Sequence, residues 1–173
     1  MILVILFAFL AGLAFILPPS MILHLDGYLR EQSLVERYYL WDRAVQVIKA
    51  KPLTGTGINT YSVAHPKYDQ KQNWRVKNYY AHNGFLQIAA ETGLPSLFAF
   101  LWFLLSYFMR GLRSLKLWPH PREQDILLSL LIGATSFLLL ACVDTVLHNT
   151  QAAITFWYVL GLGLAYQNRG GGK

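Results

Sequence analysis

Four runs of this chain contain no charged residue at all: 2–18, 94–109, 126–143 and 152–166. Inside hydrocarbon every backbone N–H and C=O must be paired within the protein, which leaves helices and closed barrels as the spanning structures. A spanning helix needs roughly 17–25 apolar residues. Extended slightly into their polar flanks, these runs predict four transmembrane helices. Composition agrees: 54% of the 173 residues are hydrophobic and 14% are charged, where a soluble domain carries about a quarter charged residues. The expected fold is an all-α membrane protein with about four transmembrane helices and a large, partly helical loop between the first two. Residues 1–18 form the first helix, 19–93 the large loop and 94–109 the second helix. A short loop covers 110–125, the third and fourth helices fall within 126–166, and 167–173 is a tail.

The first run has no basic n-region, and Pro18-Pro19-Ser20 is a poor cleavage site, so it reads as a retained span rather than a signal peptide. A chain that opens directly on a span reads as a segment, or a truncated member, of a longer multi-pass architecture. The short connector from Arg110 to Arg122 is basic, the tail holds Arg169 and Lys173, and Asp144–Gln151 has no Lys or Arg. By the positive-inside rule the basic connector and the tail are cytoplasmic and 19–93 lies outside, on the periplasmic face of a bacterial inner membrane. Nine of the fifteen basic residues lie between Arg30 and Lys77, but long loops cross largely regardless of charge. No continuous basic face points to nucleic acid. The lone Cys142 reads as a packing residue, and Gly133, Gly161 and Gly163 are small residues that would let helices approach closely. Trp102, Tyr107, Trp118, Trp157 and Tyr166 suit interface anchoring.

Within the large loop, Ser33-Leu34-Val35-Glu36 is a capping-box pattern that opens a helix. Leu34, Tyr38, Trp41, Val45 and Ile48 then form one apolar stripe, and Pro52 ends the helix. Arg37 lies about 60° from the centre of that stripe, at the edge of the buried side, whereas Arg43 falls on the opposite face and is expected to meet water. Pro52-Leu53-Thr54-Gly55-Thr56-Gly57 reads as a glycine turn, since Gly-x-Gly without a third glycine and a preceding strand is no nucleotide fingerprint. The stretch His65–Tyr80 reads as an exposed loop that could close over a substrate.

The sharpest candidate for chemistry is Ala81-His82-Asn83, which precedes a short helix expected to stop at Gly93 and Pro95. Asn83 is a natural N-cap. Taken alone, His82 reads either as a surface loop residue or as a general base at the mouth of a membrane segment. Arg37 could grip a diphosphate with its planar fork or could be an ordinary helix arginine. Lys71, Arg75 and Lys77 could add to an anion site or be solvated charges. Asp144 and His148, beside the last outer connector, are suspects as ionisable groups at a span end, or plain turn residues. No His, Asp, Glu or Cys cluster has metal-ligand spacing.

Arg37-x-x-x-Trp41, then Pro52-Leu53-Thr54-Gly55-x-Gly57, then Ala81-His82-Asn83 followed by nine residues, Gly93, two residues and Ser96, occur in that order. Together they resemble the C-terminal conserved region of the O-antigen ligase and polymerase family of bacterial membrane glycosyltransferases, over roughly residues 30–165. The resemblance implies a metal-independent, inverting transfer of a glycan from an undecaprenyl diphosphate carrier, with no cofactor. The acceptor would be lipid A core, a growing polysaccharide or a protein, on the periplasmic side. His82 and Arg37 would be the catalytic residues, the first as base and the second on the carrier diphosphate. Asn83, Arg75, Lys77, Asp144 and His148 are the expected substrate-binding residues, and membrane lipids surround the chain. Two departures stand out: Ser96 replaces the Gly, Thr or Tyr common at that position, and full-length members have many more spans. The rival expectation is a non-catalytic or truncated membrane subunit that binds a lipid-linked glycan or a partner membrane protein. A transporter is disfavoured because the spans carry no charges near their middles.

Overall fold

In a computed structural model of the chain, residues 32–68, 80–118 and 121–170 are described. The first expected span, and Lys71, Arg75 and Lys77, lie outside the described residues. The described residues fold into helices and no strand. Helix α1 is Gln32–Ala50 and α2 is Tyr61–Ala64, which runs into a 3-10 turn at His65–Tyr68. Helix α3 is Gly84–Leu117, α4 is Pro121–Ala141, and α5 is Thr150–Gly170, entered through a 3-10 turn at Val146–His148.

Two of these helices, α3 and α4, are long and apolar enough to cross a membrane. Helix α5 has the length but carries Thr150, Gln151, Thr155, Gln167 and Asn168 and is not one of them. At 1.5 Å per residue the 34 residues of α3 reach about 51 Å, well beyond the roughly 30 Å of a hydrocarbon core. Gly93, with φ 84° and ψ 168°, interrupts the helix. The kink thus separates a polar-containing arm, 84–92, from the apolar shaft that follows. The expected stop at Gly93 is therefore present as a break, although the helix resumes at once through Pro95.

The shafts of α3, α4 and α5 pack through Leu104, Leu127, Leu138, Phe156 and Leu160, all buried. Phe98, Trp102, Ile132 and Ile154 remain exposed on the outside, where lipid would cover them. A second, smaller core joins α1 to the arm of α3 through Ala44, Val47, Tyr61, Leu86 and Ala90. Tyr107, expected at an interface, is buried in the main core, and its ring occupies the space that a side chain at position 163 would take. Of the three span glycines, Gly163 alone requires the missing side chain, since a Cβ at Gly133 would meet Val159 in ordinary contact at 3.8 Å and one at Gly161 would meet nothing within 4 Å.

Three expectations are corrected. The buried face of α1 is Leu40, Arg43, Ala44 and Val47, rotated from the stripe that hydrophobicity marks. Arg43 is 2% exposed rather than facing water, because α2 and its 3-10 turn cover that face. The short loop 110–125 is mostly helix: α3 continues to Leu117 and α4 starts at Pro121, a residue suited to the first helical position. Arg110 there bonds Asn168 at 2.9 Å, and Ser114 is buried against α5.

The Pro52–Gly57 turn is a clasp on the kink. Leu94 N–H donates to the Pro52 carbonyl at 2.7 Å, Thr56 N–H to Ala90 at 3.0 Å, and Gly57 N–H to Glu91 at 2.8 Å. Gly55 and Gly93 both have positive φ, and a Cβ on either would overlap the backbone of the other segment. Gly55→Ala and Gly93→Ala should each destabilise the detergent-solubilised protein by about 1–3 kcal/mol, from backbone strain and overpacking. Gly161→Ala should leave the thermal midpoint nearly unchanged. Equal midpoints for all three variants would show that the clasp is not close-packed.

Candidate active site

The site forms where the arm of α3 meets the end of α4. Asn83 caps α3 as its sequence suggests: its Oδ1 accepts from the N–H groups of Phe85 and Leu86, both at 3.0 Å. Its Nδ2 donates to the Cys142 carbonyl at 2.8 Å, just past the last turn of α4. Gly84 N–H donates to the Asp144 carbonyl at 3.1 Å. One amide side chain and one backbone bond thus tie the start of α3 to the end of α4.

That tie places His82 against Asp144, with Nδ1 of the ring 3.2 Å from Oδ1 of the carboxylate. A carboxylate oxygen can only accept, so this contact puts the ring proton on Nδ1 and leaves Nε2 as the proton-accepting nitrogen. The His82 side chain is 32% exposed, which keeps the ring accessible. Its backbone is left-handed, φ 47°, a conformation His tolerates better than most residues but still an unusual one. The conformation is held from both sides. Trp41 Nε1 donates to the His82 carbonyl at 3.2 Å, and Ala81 N–H donates to Gln87 Oε1 at 2.8 Å.

Arg37 reaches the same place from α1. Its guanidinium donates to the Val143 carbonyl at 2.7 Å, one residue before Asp144, and no carboxylate pairs with it among the described residues. Of the residues singled out in the sequence, Arg37, His82, Asn83 and Asp144 therefore converge. Asn83, also expected to touch substrate, has both ends of its amide engaged within the protein, and one Nδ2 hydrogen remains beyond the Cys142 bond. Among the described residues no group of three His, Cys, Asp or Glu stands close enough to hold a metal ion.

Sequence reasoning missed Glu91. This carboxylate is buried and accepts from four donors. Oε1 takes Gln87 Nε2 at 2.8 Å and Tyr61 N–H at 3.2 Å; Oε2 takes Asn59 N–H at 2.9 Å and lies 3.2 Å from His148 Nε2. Burial alone would push its carboxyl up, but the hydrogen bonds of His148, Asn59, Gln87 and Tyr61 prevail and hold it below its ordinary value. Its one sequence signal was an acidic residue on the arm, four residues after Gln87. His148 is thereby fixed by Glu91 rather than left as a turn residue. Nearby, Arg43 is packed over the Tyr39 ring, 4.0 Å from its centroid, and bonds the Tyr39 hydroxyl and, at 3.2 Å, His65 Nδ1. Burial pushes the Tyr61 phenol well above its ordinary value, with Arg43 lowering it and Glu91 raising it, so the group donates as a neutral phenol to the Leu40 carbonyl. Arg43 is a core residue, not the solvated foil to Arg37.

A helical bundle with membrane-length shafts and a carboxylate-backed histidine at one end defines a helical membrane protein with a built polar site. The chain belongs to the O-antigen ligase family, whose sequence profile matches residues 1–101. It is also similar to the exopolysaccharide production protein ExoQ of Rhizobium meliloti (strain 1021), at 26% identity over 136 residues, which is 76% of this chain and 31% of that protein. The chain thus spans about a third of the length of this curated relative. No solved structure matches it significantly.

The lowered carboxyl of Glu91 has a pH signature. A group held below its unfolded value contributes stability that is full above that value and is lost as pH falls through the folded one. Wild-type thermal midpoints should therefore drop as pH falls from the ordinary carboxylate value of 4.5. Glu91→Gln should start lower at neutral pH and show a flatter acid limb. Parallel curves for the two proteins would remove Glu91 as a source of the acid sensitivity.

Proposed function

We propose that the chain carries the acceptor-activating site of a membrane glycosyltransferase. In this reading a glycan moves from an undecaprenyl diphosphate carrier to a hydroxyl acceptor at the periplasmic face. The observation that carries the reading is the His82–Asp144 contact, which turns Nε2 into the proton acceptor, with Arg37 bonded to the carbonyl of the residue before Asp144. The acceptor oxygen attacks the anomeric carbon and gives its proton to His82 Nε2. The bond from that carbon to the diphosphate oxygen breaks, and the carrier diphosphate leaves with the electron pair. Attack opposite the leaving group inverts the anomeric centre. Asp144 keeps the ring in the useful tautomer and stabilises the imidazolium that forms. Arg37 supplies a planar, permanently charged fork for the diphosphate and offsets the charge that grows as it leaves. Family membership, the similarity to an exopolysaccharide production protein and the two membrane-length helices support this chemistry over a soluble hydrolase.

General-base help is worth typically 10²–10⁴-fold. Transfer from a lipid-diphosphate donor in proteoliposomes, using the full-length protein or complex, should fall by that order in His82→Ala and substantially in Asp144→Asn. Because the two act as one unit, the double variant should be no worse than His82→Ala alone. Arg37→Lys should lose most activity, since an ammonium cannot replace a fork. Losses that multiply in the double variant would end the dyad, and near-normal turnover in His82→Ala would end the base role.

The periplasmic placement has its own test. In a Cys142→Ser background, a cysteine at the exposed Lys67 should react with an impermeant thiol reagent on spheroplasts, and one at the exposed Lys116 should not. The opposite labelling would invert the topology.

A further inference from the structure

A pocket of about 550 Å³ opens beside Asp144 of the dyad. Its wall includes Tyr80, Asp144, Thr145, His148, Asn149 and Gln151. Neither His82 nor Arg37 lines it. That volume falls within the range of small-molecule sites, about 300–1,000 Å³.

The lining is unusual for a bundle that sits in lipid. Tyr80 offers an exposed aromatic ring, 5.9 Å from the ring of His148 by centroid. His148 is in turn fixed by the buried Glu91. Asn149 uses Oδ1 to cap α5, accepting from Gln151 N–H at 3.1 Å and Ala152 N–H at 3.2 Å, which leaves its Nδ2 donors. Gln151 is exposed and brings both a donor and an acceptor. Asp144 brings acceptors and a negative charge.

Each candidate ligand class meets these groups differently. An anion such as a diphosphate would face the Asp144 carboxylate, and none of the described residues of the wall is an arginine or lysine. An acyl chain would desolvate a carboxylate and two amides without satisfying them, which is costly. A neutral polyhydroxyl ring fits both parts of the lining. Its C–H face can lie on the Tyr80 ring, whose face is electron-rich, and its hydroxyls can pair with the carboxylate and amides. We infer that this pocket is a monosaccharide subsite: it holds one neutral pyranose ring of a glycan next to the His82–Asp144 dyad. The inference rests on the proposed glycan transfer for its biological meaning, but binding of a sugar ring can be measured without turnover.

The ring would belong either to the donor glycan or to the acceptor glycan, and one experiment separates them. Saturation-transfer-difference NMR is recorded on the full-length protein in nanodiscs, with methyl β-D-glucopyranoside and methyl β-D-galactopyranoside as probes. Transfer to the ring C–H protons of at least one probe is expected. Affinity should weaken about fivefold or more in Gln151→Ala and in Tyr80→Ala, the loss of one hydrogen bond or one stacking face. Gln151 is exposed, so its variant tests the pocket even if Tyr80→Ala folds poorly. Arg37→Ala and His82→Ala should leave probe binding unchanged, so failure of the transfer mechanism would not be mistaken for failure of the subsite. Displacement of the probe by an undecaprenyl diphosphate-linked glycan assigns the ring to the donor, and lack of displacement assigns it to the acceptor. No transfer to either probe, equal affinity in Gln151→Ala, or displacement by inorganic diphosphate or by undecaprenyl diphosphate without sugar would each overturn the subsite.

Discussion

The amide of Asn83 is the point on which the site depends. Its carbonyl end satisfies two of the free N–H groups at the start of α3, and its amino end reaches the Cys142 carbonyl beyond the end of α4. A serine, threonine or aspartate could cap the helix as well, but none has a donor and an acceptor set on opposite sides of one planar group. Aspartate would accept for the cap and then face the Cys142 carbonyl with a second acceptor. Because the cap and the inter-helix bond are the same side chain, the preceding residue, His82, has its position relative to Asp144 set by the helix ends themselves.

Around that joint the polar groups form one connected system. Gln87 passes from the Ala81 N–H to Glu91, and Glu91 passes to the Asn59–Tyr61 turn and to His148. Here the arm before the kink holds the network and the shaft after it holds the apolar core. The division follows from Gly93, where the helix yields to a non-helical residue and the Pro52–Gly57 clasp closes on the gap.

The helices were legible in the sequence because their signals are local: charge-free runs, an asparagine cap, a glycine followed by a proline. Asn83 was legible as a cap because it stands directly before the helix, whereas local signals left His82 and Arg37 open between a site role and an ordinary one, and only the family resemblance gave them roles. Two things were not legible. Arg43 is charged and lies opposite the apparent apolar stripe, so periodicity assigns it to water; only the fold-back of Tyr61–Tyr68 onto α1 buries it. Glu91 looks like an ordinary surface residue of a short helix, and its partners come from three separate segments, at distances of up to 57 positions along the chain. Helix α5 has spanning length, and its threonine and amide residues keep it out of the set of long apolar helices.

The left-handed backbone at His82 narrows what can replace it. Glycine, asparagine and aspartate enter that region readily, whereas β-branched and bulky residues enter it at a cost. A relative that has given up chemistry but still needs the joint between α3 and α4 would thus drift to asparagine or glycine at this position before any aliphatic residue. The surrounding loop would keep its shape in such a protein, with the imidazole gone and the Trp41 bond to the backbone carbonyl intact. On the role proposed for His82, loss of that role and loss of fold are separable at this one position, and a binding-only descendant of the site would keep the same backbone everywhere except at the ring.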